Sequence, residues 1–317
     1  MAPKAIIATR SFGSASHKPI QMLEDAGIEI DWVDANSASV HDQIMELVPE
    51  ASAIIVGLVP ITEKIIEKSS RLRIVSMYGV GVNHIDLEAA RRKGVIVTNC
   101  PGSNDQAVAD LALGLMLAVA RSIPLIDRDI RAGYWKKYLG GELWQKRLGL
   151  IGFGNIAKGV AHRAKGFDME ISAYDPYASV EVTEAHGVSL LPFEEVIARS
   201  DFVSLHAPLT VETKRMFGSE QFKAMKPTSY LINTARGGLV DEQALYVALR
   251  SGEIAGAGLD VFAEEPLEDS RLVELNNVVL TAHTGTHTKE AIERMGMMAA
   301  ENVLRVLRGD TPINRIV

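Results

Sequence analysis

Short apolar runs alternate with amphipathic stretches along the whole chain, and this alternation predicts the fold class before any motif is considered. From Lys4 to about Asn99, the runs Ala5 to Thr9, Ile28 to Val33, Ala53 to Val56, Leu72 to Met77 and Val95 to Thr98 predict strands. Helical periods fill the gaps. Pro19 to Ala26 closes on Gly27, Ser39 can cap a helix to Val48, Thr62 can cap the next, and Asp86 to Lys93 ends at Gly94. The later half repeats the pattern with strands at Phe202 to Leu205, Tyr230 to Asn233, Ala255 to Leu259 and Val278 to Thr281. Asp241 caps a helix ending near Gly252, and a last long helix runs from about Thr288 to Arg308. Strands alternating with helices imply parallel sheets covered on both faces, so the expectation is an α/β chain of doubly wound sheets.

A chain of 317 residues exceeds what one hydrophobic core usually serves. The turn-rich stretch Asn99 to Asp105 marks a break, and a long helix from about Asn104 to Arg121 leaves it. The expected organisation is one domain of residues 1–99 and 288–317, with a second of residues 100–287 inserted into it. The net charge of −7 provides no global basic field for nucleic acid or an anionic membrane, which directs attention to a small-molecule ligand. A single cysteine, Cys100, excludes an internal disulfide framework and any multi-cysteine metal site, and suits a reducing, cytoplasmic setting. The amino-terminal apolar run is too short for a secretory signal. Leu111 to Ala120 is about half the length needed to cross a bilayer and reads as a buried helix.

The most informative stretch is Leu148 to Asp175, which parses as strand, glycine turn, helix, strand and terminal acid. Gly152 permits the sharp exit from the strand, Gly154 lets backbone approach a pyrophosphate, and Ala157 is small enough for close helix packing. The helix opening at Asn155 and Ile156 offers N–H groups to phosphates. Asp175 stands where a carboxylate can accept hydrogen bonds from an adenosine ribose and would repel a 2′-phosphate, which predicts NAD as cofactor.

Ligands of open α/β sheets bind beyond the carboxyl ends of strands, and three charged residues follow such ends. Arg236 comes after Tyr230 to Asn233, where a planar guanidinium could grip a carboxylate with two hydrogen bonds or simply be a solvated loop arginine. Glu265 follows Leu259 to Phe262 in a loop that also holds Glu264 and Asp269. His283 lies just past Val278 to Thr281 and is suited to proton transfer near neutral pH, with a nearby carboxylate to fix its tautomer. His283 and His287 invite a metal reading, but no glutamate of a zinc-protease motif accompanies them and a glycine interrupts the helix, so no metal is expected.

Several stretches resemble the D-isomer-specific 2-hydroxyacid dehydrogenases, particularly their phosphoglycerate-dehydrogenase-like branch. They are Tyr78 to Asp86, Asn99 to Gly102, Gly152 to Ala157, Leu205 to Thr210, Asn233 to Asp241, Asp260 to Pro266 and the His283 segment. The resemblance implies a Rossmann NAD-binding domain inserted into a flavodoxin-like substrate-binding domain, with the site in the cleft between them. It makes Arg236 the substrate arginine, His283 the catalytic histidine and Glu265 its partner. It also assigns cofactor contacts to Ile156, Asp175, His206, Pro208, Thr213, Thr234, Ala235 and Asp260, and substrate contacts to the backbone of Val80 and Gly81. It implies a homodimer through the cofactor domains, with Ile123 to Trp135 as the helix-rich arm. Three departures stand out. Ala157 replaces the more usual glycine, Ala282 a common proline, and Gly57 to Pro60 lacks an arginine that some phosphoglycerate dehydrogenases use for phosphate. The implied activity is NAD-dependent interconversion of a small D-2-hydroxy acid and its 2-keto acid, most like phosphoglycerate dehydrogenase. Glyoxylate or hydroxypyruvate reduction is the alternative within the enzymes, and a non-enzymatic NAD-binding corepressor is the alternative outside them.

Overall fold

The structure is a computed structural model that describes residues 2–317. These divide into two compact units, one running up to Asn104 and resuming over Thr286–Val317, the other Asp105–Gly285. The divisions fall a few residues from those expected at 99/100 and 287/288. In the first unit the elements run β1 (Lys4–Ala8), α1 (Lys18–Asp25), β2 (Glu29–Trp32), α2 (Val40–Leu47), β3 (Ala53–Val56), α3 (Glu63–Lys68), β4 (Ile74–Met77), α4 (Leu87–Lys93) and β5 (Ile96–Thr98). The five strands are parallel in the order β2-β1-β3-β4-β5. Strand alternation divides the apolar residues between two faces. Ile6, Ile54, Val56 and Val75 enter one core with Ile44 and Ile65, while Ala5, Ile7, Ile55 and Ile74 enter another with Leu23. Because both faces are covered, β1 and β3 are nearly continuous apolar runs. β2 is shorter than the strand expected over 28–33. It is an edge strand, so Trp32 is half exposed.

The second unit comprises α5 (Asp105–Ala120), α6 (Ile123–Arg131), β6 (Arg147–Ile151), α7 (Asn155–Ala164), β7 (Glu170–Tyr174), α8 (Val180–Glu184), β8 (Ser189–Leu190), α9 (Phe193–Arg199), β9 (Phe202–Leu205), α10 (Ser219–Ala224), β10 (Tyr230–Asn233), α11 (Glu242–Ser251), β11 (Gly256–Leu259) and β12 (Val278–Leu280). Its seven parallel strands lie in the order β12-β11-β10-β9-β6-β7-β8. The order reverses between β6 and β9, the topological switch point at which doubly wound sheets take ligands. Within the arm expected to be helix-rich over 123–135, the helix spans Ile123–Arg131, and Gly133 follows at φ +82°. After the second unit, α12 (Lys289–Arg308) returns to the first and buries Ile292, Met295, Ala299 and Val303 with Ile7 and Ile55.

The helix ends refine the sequence reading. Asp241 and Thr288 cap α11 and α12 through their side chains, accepting from Ala244 N at 3.0 Å and Ala291 N at 3.1 Å. Ser39 and Thr62 occupy N-cap positions without a side-chain bond to a helix N–H, and Ser39 Oγ instead meets Ser37 Oγ at 2.8 Å and accepts from the Gln43 side chain at 3.1 Å. Among the described residues no single helix is long and apolar enough to cross a membrane. The pair α5 and α6 passes on length and composition but is bent by 63°, and α5 packs Leu115 and Met116 into the core of the second unit.

Candidate active site

Gly152 ends β6 at φ +91°, and a Cβ there would lie 2.8 Å from His206 C and Ala207 N at the exit of β9. The turn can therefore pass the switch point only as glycine. Gly154 and Asn155 then open α7 in exposed positions, with open space over Gly154, while Ile156 is half-buried and Ala157 fully buried against the sheet. Asp175, at the end of β7, draws the turn together: Oδ2 accepts from Phe153 N at 2.7 Å and Oδ1 from Tyr177 N at 2.8 Å. The carboxylate is thus placed beside the glycine turn.

Two buried polar atoms at the carboxyl ends of adjacent strands have no hydrogen-bond partner, Nδ1 of His206 after β9 and Oγ1 of Thr234 after β10. Such atoms are costly to leave unpaired unless something polar meets them. Burial lowers the His206 pKa to about 4, although the residue as a whole is half-buried, and Nε2 keeps a 2.9 Å contact with Ser204 Oγ. The unpaired atoms, the space over Gly154 and the Asp175 carboxylate fit a dinucleotide. Pro208 and Thr213 form a tied turn, in which the Thr213 hydroxyl donates to Pro208 O at 2.6 Å and accepts from Thr210 N at 2.8 Å.

Beyond β10 the chain folds back on Asn233. Its amide donates to Arg236 O at 2.9 Å and its Oδ1 accepts from Ala235 N at 3.1 Å, which fixes the turn carrying Arg236. The guanidinium donates to Ala235 O at 2.6 Å. Burial lowers the Arg236 pKa, against the opposing charge of Glu265. Glu265 spans its own loop, with Oε1 accepting from Phe262 N at 3.0 Å and Oε2 lying 2.7 Å from His283 Nδ1. Burial pushes the Glu265 carboxyl up. The hydrogen bond and charge of His283, the Phe262 N–H and the charge of Arg236 outweigh this and hold it below its ordinary value. The structure therefore brings Glu265 and His283 into contact and places Arg236 within electrostatic reach of Glu265.

His283 is held in a left-handed backbone conformation at φ +51°, which costs of order 1–3 kcal/mol for a residue with a side chain. Asp260 supplies the restraint. Its backbone O accepts from His283 N at 2.8 Å, and its carboxylate accepts from Thr281 Oγ1 at 2.6 Å, Thr284 N at 2.8 Å and Gly285 N at 2.8 Å. Asp260, a residue expected to contact cofactor, thus also shapes the histidine loop through its carboxylate. In the first unit, the loop bearing Val80 and Gly81 is fixed by Asn99 Nδ2 donating to Val80 O at 2.8 Å and Cys100 N donating to Gly79 O at 2.7 Å. Cys100 itself is buried, which pushes its thiol up to about 12. Among the described residues no group of three His, Cys, Asp or Glu side chains is placed to hold a metal ion.

A doubly wound sheet with a glycine turn at its switch point and an imidazole–carboxylate pair at its strand ends defines a Rossmann-type nucleotide-binding unit. Residues 113–285 match the D-isomer specific 2-hydroxyacid dehydrogenase, NAD binding domain. The chain is 42% identical to a glyoxylate reductase of Thermococcus litoralis over all of its own length and 97% of that protein. It is also 42% identical to a D-3-phosphoglycerate dehydrogenase of Methanocaldococcus jannaschii over 93% of its length, but spans only 56% of that relative. A solved structure from Thermus thermophilus is 37% identical, covers 99% of this chain and 100% of its own, and superposes with a TM-score of 0.91. The chain belongs to the D-isomer specific 2-hydroxyacid dehydrogenase family, and its second unit carries the family's NAD-binding domain.

Proposed function

We propose that the protein is an NAD-dependent dehydrogenase that interconverts a small D-2-hydroxy acid and its 2-keto acid. The observation that carries this reading is the 2.7 Å contact between His283 Nδ1 and Glu265 Oε2 in a unit that also holds Arg236. Bound NADH supplies a hydride to the carbonyl carbon. Arg236 binds the substrate carboxylate and polarises the carbonyl, and His283, charged and held by Glu265 at Nδ1, gives its Nε2 proton to the carbonyl oxygen. The reverse reaction requires the neutral ring to remove the hydroxyl proton. In this proposal the first unit is the substrate-binding domain, and the Val80 and Gly81 N–H groups hold the acid. The cofactor contacts are Gly152, Gly154, Asn155, Ile156, Asp175, His206, Pro208, Thr213, Thr234, Ala235 and Asp260.

The phosphoglycerate dehydrogenase relatives support 3-phosphoglycerate as the first substrate reading. A second reading, reduction of glyoxylate or hydroxypyruvate, is favoured by the loop after β3. Residues 57–62 contain no cation for a phosphate, and Leu58 is 58% exposed there. Comparing 3-phosphohydroxypyruvate with hydroxypyruvate as oxidants of NADH decides between them, since a strong preference for the unphosphorylated acid overturns the first reading. A homodimer belongs to the same proposal, because Trp135 at the end of the arm and Leu139 just beyond it are 84% and 103% exposed. A monomer at micromolar concentration would contradict it. A reducing, cytoplasmic setting agrees with the buried free thiol of Cys100.

A further inference from the structure

We propose that Glu242 is a positioning residue for the imidazole–carboxylate pair, an inference that rests on the dehydrogenase reading above. Glu242 is the first residue of α11, but Asp241 already caps that helix. The Glu242 carboxylate reaches away instead, and its Oε1 accepts from Ala263 N at 2.6 Å. One residue earlier, Phe262 N donates to Glu265 Oε1. Two successive N–H groups of the same loop are therefore held by two glutamates, one anchored on a helix and the other bridging to His283.

The same peptide is also in backbone contact with Gly237. A Cβ on Gly237 would lie 1.9 Å from Phe262 C and 2.1 Å from Phe262 O, so the 262–263 peptide packs directly on the Gly237 backbone. Gly237 follows Arg236, and Glu242 stands five residues further along. The segment that presents the arginine thus holds the 262–263 peptide, at the start of the loop that presents Glu265, through two of its own residues, Gly237 and Glu242. A glutamate side chain has three rotatable bonds, and Glu265 can bond its own loop and His283 together only if that loop is fixed. Without Glu242, Ala263 N–H faces water and Glu265 acquires alternative positions. An acid in a first helical turn also favours the helix dipole, and that role depends on charge and not on an acceptor at Ala263.

The two roles separate in Glu242→Gln, which keeps the acceptor oxygen and removes the charge, and Glu242→Ala, which removes both. The full-length protein labelled with ¹⁵N-histidine provides a readout independent of turnover, the low-field proton resonance of a His283 Nδ1–H donating to a carboxylate. The expected result is a resonance present in wild type and Glu242→Gln and lost in Glu242→Ala as in Glu265→Gln. In parallel, kcat for ketone reduction should fall about ten- to a hundredfold in Glu242→Ala, on the scale of a small misplacement at a reacting centre, with KM for NADH unchanged. Glu242→Ser, too short to reach Ala263, repeats the test if the alanine variant does not fold. A resonance that persists in Glu242→Ala or Glu242→Ser overturns the proposal, as does Glu242→Gln behaving like Glu242→Ala. A wild type that shows no turnover with any 2-keto acid refutes the dehydrogenase reading, while the resonance still decides what Glu242 holds.

Discussion

Acidification should destabilise this protein well before its carboxylates titrate, and His206 provides the cause. In the folded chain burial lowers its pKa to about 4, whereas an unfolded histidine has a value of about 6.5. Between these two values the unfolded chain binds a proton that the folded chain refuses, so stability rises with pH across the window. The contribution is fully present above about pH 6.5 and is lost as pH falls through the folded value. A difference of about 2.5 units corresponds to about 3 kcal/mol in all, of which about 2 kcal/mol disappears between pH 7 and pH 5. Urea unfolding of apo wild type and His206→Gln, followed by circular dichroism at steps from pH 7.5 to 5, isolates the residue. The stability difference between the two proteins should shrink by about 2 kcal/mol toward pH 5, through the wild type alone. A difference independent of pH would mean that the folded imidazole is hydrated or already charged, and would refute the burial argument.

Other expectations follow from the site. Arg236→Lys keeps the charge but cannot reproduce a planar two-bond grip on a carboxylate, so kcat/KM should fall severely, and a near-normal value would show that another residue holds the substrate. Asp175→Ala should narrow the preference for NAD over NADP, and equal kcat/KM of the wild type with both cofactors would contradict the ribose assignment. Asp260→Asn places an amide donor among the Thr284 and Gly285 N–H groups, so it should loosen the strained His283 loop and cut turnover in both directions. Unchanged steady-state rates in that variant would remove Asp260 from the account. Glu265 keeps its charge below the ordinary glutamate value, so its tie to His283 should hold above about pH 4.3 and fail as pH drops further through the lowered folded value. Loss of the tie near neutral pH, seen in the His283 ring resonances, would contradict that direction.

The parallel sheets were legible because their strands are buried on both faces, which leaves runs such as Ala53 to Val56 without polar interruption. The two-residue strand β8 and the short helices α8, α9 and α10 were not, since two to seven residues carry too little periodicity to register. Strand exits pointed to Arg236, Glu265 and His283, but their mutual placement depends on β10, β11 and β12 lying side by side, which only pairing reveals. Asp260 illustrates the limit. Its motif resemblance suggested a cofactor contact, and its carboxylate is engaged by the backbone and hydroxyls of a loop more than twenty residues away. Glu242 went unnoticed for a related reason. An acid directly after a capping aspartate reads as helix chemistry, and its partner Ala263 carries no side-chain signal at all.

The central claim is tested most directly by mixing the purified protein with NADH and a panel of 2-keto acids, including glyoxylate, hydroxypyruvate and 3-phosphohydroxypyruvate, and resolving the products by chiral chromatography. The account predicts NADH oxidation with at least one of them, a D-2-hydroxy acid wherever the product is chiral, and loss of that activity in His283→Ala. An L product, or turnover that survives His283→Ala undiminished, would contradict it, as would a protein that binds NADH and oxidises it with none of the acids.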